Sequence, residues 1–73
     1  MNERERIRYR LRVNNLTLAW LVVMLGKRGF ITSSASMSAM MSGTRRGETV
    51  DATLAESSDI LDRYEVYARG EEP

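Results

Sequence analysis

Seventy-three residues make one domain at most, near the lower limit for a core that folds alone. The chain has no cysteine and no histidine, which removes disulfides, thiolate chemistry and the usual zinc ligands. Its net charge of +1 hides a division: Met1 to Arg46 carries +7, and Gly47 to Pro73 carries −6.

Only carboxylates remain for acid–base work or metal binding, and no pair of them sits in an apolar stretch that would tune a pKa. No catalytic residue, metal or cofactor is therefore expected, and the chain does not read as an enzyme. The apolar run "LTLAWLVVML", Leu16 to Leu25, has ten residues where a membrane span needs about twenty, so it reads as core. The N-terminus carries no apolar stretch of the signal-peptide kind, and a cytoplasmic protein is the expectation. The charge division has two physical readings. Either a basic face serves a polyanion while the acidic end is held away from it, or the two halves pair inside the fold.

The first segment, "NERERIRYRLRVNN", alternates Arg4, Arg6, Arg8, Arg10 and Arg12 with Ile7, Tyr9, Leu11 and Val13, a strand-like period of two. No second convincing strand exists to pair with it, and a lone strand is not stable. As a helix near residues 3–13 it buries Ile7 and Leu11 at i,i+4 spacing, with Tyr9 or Val13 at the margin. Asn2 followed by Glu5 resembles a capping box. Helix is the preferred assignment. Its arginines, spaced i,i+2, are then spread around the helix and do not line up on one strip.

The second helix, near 17–26, is expected to be capped by Thr17 and to carry a stripe of Leu18, Leu21, Val22 and Leu25. Trp20, Val23 and Met24 make it apolar almost all round, which places it at the centre of the core. "GKRGF" then forms a basic turn. The third helix, near 33–42, starts at Ser33 or Ser34. It turns Met37, Met40 and Met41 inward, as packing residues, and stops at Gly43. The fourth, near 49–67, aligns Val50, Leu54, Leu61 and Tyr64 on one face with Ile60 beside them. Glu48 and Asp51 suit the positive end of its dipole. Residues 68–73 form a tail. The sum is an all-α single domain with short connections.

At two places the residues resemble a known family. "TLAWLVVMLG", Thr17 to Gly26, resembles the first helix of the helix-turn-helix of lambda-repressor-like (Cro/CI-type, XRE-type) regulators: Thr17, Leu21, Val22, Leu25 and Gly26 fall in register. "MSAMMSGTRRG", Met37 to Gly47, resembles the end of that family's recognition helix, through Met37, Ser38, Met40, Gly43 and Arg45. "ILDRYE" is similar to the last helix of small phage-type relatives. The connection "GKRGFIT" is longer than the family's tight turn, and Leu18, Ala19 and Trp20 stand where the family has polar residues.

The resemblance implies a compact four- to five-helix fold and a small DNA-binding transcriptional regulator of phage or mobile-element type. Its third helix would enter the major groove of double-stranded DNA, presenting Ser33, Ser34, Ala35, Ser36 and Ala39. Lys27 and Arg28 before that helix, and Thr44, Arg45 and Arg46 after it, would meet phosphates. The helix lacks the bidentate readers, Arg or Lys for guanine and Asn or Gln for adenine, so sequence preference would come from DNA shape, water or the flanking basic residues. The family habit of paired half-sites implies a homodimer, through the end of the fourth helix at Tyr64, Val66 and Tyr67. A helix of serines and alanines has a second use, because small side chains let a protein groove approach closely. The alternative is a modulator or antirepressor that binds a partner repressor protein.

Overall fold

Asn2 decides the conformation of the N-terminal segment in the computed structural model, which describes residues 1–70. Its side chain accepts a hydrogen bond from the Glu5 amide at 2.8 Å, and its own amide donates to Glu5 Oε1 at 3.2 Å. That reciprocal cap starts α1, Glu3–Val13. Ile7 and Leu11 are buried, whereas Tyr9 and Val13 are 49% and 53% exposed, so the inward face is narrower than a strand would make it.

Three further helices follow: α2 (Leu18–Lys27), α3 (Ser34–Ser42) and α4 (Glu48–Ala68), and the described residues contain no strand. Thr17 and Ser33 stand just outside α2 and α3 and accept from the amides of Trp20 and Ser36, both at 3.0 Å. Each cap satisfies a donor that the first helical turn leaves open. Gly43 ends α3 with φ of 83°, a left-handed geometry that costs glycine little. The Arg45 amide then reaches back to the Ala39 carbonyl at 3.1 Å.

α1 packs against α3 and α4, α2 packs against the same two helices, and the pairs α1/α2 and α3/α4 touch only marginally. The core where they meet holds Ile7, Leu11, Leu21, Leu25, Met37, Met40, Met41, Val50, Leu54, Ile60 and Leu61. The methionine trio is packing, as its spacing implies. α2 is less central than its composition suggests, because Val23 is 57% exposed and Ala19 and Lys27 share its outer side. On α4 the core face includes Thr53 and Ser57, whose hydroxyls donate to the carbonyls of Thr49 and Thr53, each at 2.8 Å. Satisfied within their own helix, these hydroxyls can be buried without an orphaned polar atom. Among the described residues no helix is long and apolar enough to cross a membrane.

Candidate nucleic-acid interface

α3 forms a ridge. Its inward methionines leave Ser33, Ser34, Ala35 and Ser38 exposed, with Ser36 and Ala39 half-buried. At about 100° per residue, Ser36 and Ser38 emerge on opposite flanks of the helix. Each flank borders a groove. On the Ser36 side a cleft of about 740 Å³ is lined by Phe30, Ile31, Arg45, Arg46 and the first residues of α4. On the Ser38 side a groove of about 430 Å³ is lined by Arg8, Leu11, Arg12, Leu16, Leu18 and Met41.

The turn after α3 is organised by its own side chains. Arg45 Nη1 donates to Ser36 Oγ at 2.8 Å, Arg46 Nε donates to the Gly43 carbonyl at 3.0 Å, and the hydroxyls of Ser42 and Thr44 share a hydrogen bond of 2.9 Å. Arg45 and Arg46 remain exposed, so each guanidinium has further donors facing outward. Seven residues from the sequence reading, Ser33, Ser34, Ala35, Ser36, Thr44, Arg45 and Arg46, thus lie together on the ridge and its C-terminal turn. Ala39 belongs to the same helix but is half-covered, with its carbonyl taken by Arg45.

Arg28 goes elsewhere. Its Nη1 lies 2.6 Å from both Glu56 Oε2 and Asp59 Oδ2 on α4, which raises its pKa above the ordinary arginine value, the Asp59 hydrogen bond contributing most. In this arrangement Arg28 Nη1 neutralises the protein's own carboxylates. Lys27 stays exposed on the outer side of α2.

A second pair ties the halves together at the other end. Arg10 engages Glu65 through Nε and Nη2, each at 3.0 Å, and Asp62 through Nη2 at 2.6 Å. The Arg10 fork is the main reason the Glu65 carboxyl is held below the usual carboxylate range, with Asn14 Nδ2 adding a hydrogen bond of 3.0 Å. The charge division is therefore resolved in part by pairing within the fold. Arg10 and Arg28 pair with the acidic helix, while Arg45 and Arg46 face outward.

Sequence reasoning gave the arginines from Arg4 to Arg12 a non-specific role, spread around the helix, and missed that Arg4, Arg8 and Arg12 share one flank. Once α1 is a helix these are spaced i,i+4 and fall on the flank towards α3. Arg4 Nε donates to the Met40 carbonyl at 2.7 Å and Arg8 Nη2 to the Met41 carbonyl at 3.4 Å, at the negative end of α3. Arg12, exposed, lines the Ser38-side groove. The signal was available in the spacing, but which helix that flank would meet was not. Among the described residues no cluster of acidic side chains is built to hold a metal. The chain matches no family model, no curated protein and no solved structure.

Proposed function

We propose that this chain is a small DNA-binding transcriptional regulator of phage or mobile-element type, with a lambda-repressor-like helix-turn-helix formed by α2 and α3. The single observation that carries the reading is the α3 ridge flanked by outward arginines. Arg45 and Arg46 stand on one side, and Arg8 and Arg12 on the other. A helix about 10 Å across fits a major groove about 12 Å wide, and cations on both flanks then meet the two phosphate strands. The serine hydroxyls and the Ala35 methyl are the groups presented to base edges.

None of those groups makes a bidentate base contact, so the reading assigns most of the affinity to phosphates and most of the sequence preference to groove shape. Arg28 has no part in it, and Arg8 and Arg12 take its place. A homodimer belongs to the same proposal, with Tyr67, 80% exposed at the end of α4, at its surface. Tyr64 is committed within the protomer, edge-on to Trp20 with ring centroids 5.4 Å apart.

The test is fluorescence anisotropy of the protein against labelled duplex from its own upstream region and a scrambled duplex, at several salt concentrations. The proposal expects a preference of about a thousandfold for the cognate duplex. Equal, weak binding to both, lost near physiological salt, overturns it.

A further inference from the structure

Below its arginine rim, the groove on the Ser38 flank of α3 has a floor that phosphate contacts alone do not use. Its floor is apolar: Leu11 at the bottom, Leu16 and Leu18 from the α1–α2 junction, and Met41 from α3. Leu16 and Leu18 are only half-buried, so this floor exposes side chains that a phosphate backbone has no means of covering. Its volume of about 430 Å³ admits apolar side chains, and the exposed Ser38 forms a low wall that a helix backbone can approach closely. Two cations, Arg8 and Arg12, stand one helical turn apart along one rim. Arg8 spends one donor on the Met41 carbonyl, and the Arg12 guanidinium makes no hydrogen bond or ion pair among the described residues.

We propose that this groove is the docking site of a protein partner, and that its occupant is an acidic amphipathic helix. Apolar side chains a turn apart enter the groove between Leu11, Leu16, Leu18 and Met41, and carboxylates beside them pair with Arg8 and Arg12. The choice of occupant follows from charge complementarity. A basic rim around an apolar floor selects an acidic amphipathic segment and rejects a basic one, whose cations would lie against the two guanidiniums. The groove abuts α3, so an occupant about 10 Å across covers the Ser38 flank of the ridge and competes with any large ligand that approaches α3. The docking itself stands on the groove and is independent of whether the ridge binds DNA.

The experiment uses the intact protein and three labelled synthetic helices of about 18 residues. One carries leucines at i, i+3, i+4 and i+7 with glutamates flanking them. The second replaces those glutamates by lysines, and the third replaces the leucines by serines. Binding is read by anisotropy and located by amide chemical shifts. The acidic helix is expected to bind saturably, with shifts concentrated in Arg8–Leu18 and Ser38–Met41, and the two control helices to bind about tenfold or more weaker. Arg12→Glu is expected to lower the affinity by about tenfold while the protein stays folded, because the Arg12 guanidinium has no partner among the described residues. Ser38→Trp, which fills the groove from an exposed position, is expected to abolish it. Absence of saturable binding at about millimolar peptide, equal binding of the lysine helix, or shifts centred elsewhere each overturn the proposal. A duplex-binding result of either sign leaves these outcomes unchanged, so failure here is distinguishable from failure of the DNA reading.

Discussion

Arg10 on α1 and Glu65 on α4 meet in a two-bonded fork, Nε to Oε2 and Nη2 to Oε1, each 3.0 Å long. They come from opposite ends of the sequence, and with Asn14 on the same carboxylate they clasp the first helix to the last. A planar guanidinium against a carboxylate is the strongest form of surface ion pair, because both hydrogen bonds are fixed by one orientation. Side-chain exposures of 21% and 27% shield the fork only partly from solvent. Screening therefore limits its coupling to about 1 kcal/mol. A double-mutant cycle with Arg10→Ala and Glu65→Ala should recover that value. Arg10→Ala should cost more than Glu65→Ala, because it also releases Asp62. A coupling near zero would mean that packing of Ile7 and Leu11 alone joins α1 to α4.

The same pair sets an acid limb on stability. The Glu65 carboxyl lies below its ordinary 4.5 because of Arg10, and the Asp59 carboxyl lies below its ordinary 3.8, chiefly because of Arg28. A carboxylate whose folded pKa is depressed contributes stability that is fully present above its unfolded pKa. That contribution is lost as pH falls through the folded value. With no histidine or cysteine to titrate near neutrality, the thermal midpoint should be level from about pH 6 to 8 and fall below about pH 4.5. Glu65→Gln should lower the midpoint at neutral pH and flatten the acid limb. Melts followed by circular dichroism across this range decide it, and an unchanged limb in Glu65→Gln would remove the fork as its cause.

Ser57 makes a different kind of test. It is fully buried on α4, and its hydroxyl donates only to the Thr53 carbonyl, one turn back. Ser57→Ala removes donor and hydroxyl together and leaves the helix ladder intact, so stability should change by less than about 1 kcal/mol. Ser57→Leu inserts volume into a closed core and should cost about 1–3 kcal/mol. Met37→Ala, at a position with no exposure, should cost about 2–5 kcal/mol through the cavity it leaves. Urea unfolding of the three variants checks the order, and a large loss for Ser57→Ala would show that the hydroxyl has a further role.

The local features of this fold were legible because each depends on neighbours in sequence. The Asn2–Glu5 box, the Thr17 and Ser33 caps and the Gly43 terminator all sit where the spacing puts them. The methionines fall inward because i, i+3 and i+4 share a face. Thr53 and Ser57 escaped notice because their hydroxyls are satisfied inside α4, and a hydropathy pattern marks such residues as surface. The direction of the arginines was the real gap. Lys27-Arg28 and Arg45-Arg46 look alike as dipeptides in basic turns, yet Arg28 meets Glu56 and Asp59 and Arg45 meets Ser36. Only tertiary placement of α4 separates them.

That separation yields the sharpest test of the proposed interface. If the α3 ridge lies in a major groove, the double variant Arg45→Ala/Arg46→Ala removes two cations from one flank and Arg12→Ala removes one from the other. The slope of log affinity against log salt should become shallower by about 2 and about 1 respectively, since each phosphate contact contributes close to one unit. Arg28→Ala should leave the slope unchanged, because its guanidinium already serves Glu56 and Asp59. It should lower the thermal midpoint instead, by unpairing Glu56 and leaving Asp59 with Arg63 alone. Ser36→Ala should act weakly in the same direction as loss of Arg45, by releasing the guanidinium it holds at 2.8 Å. Anisotropy titrations at four salt concentrations, with a melt for each variant, read both effects. A slope that falls for Arg28→Ala and not for Arg45→Ala/Arg46→Ala would turn the basic surface around: the cations that meet DNA would then lie beside α4, and α3 would face something else.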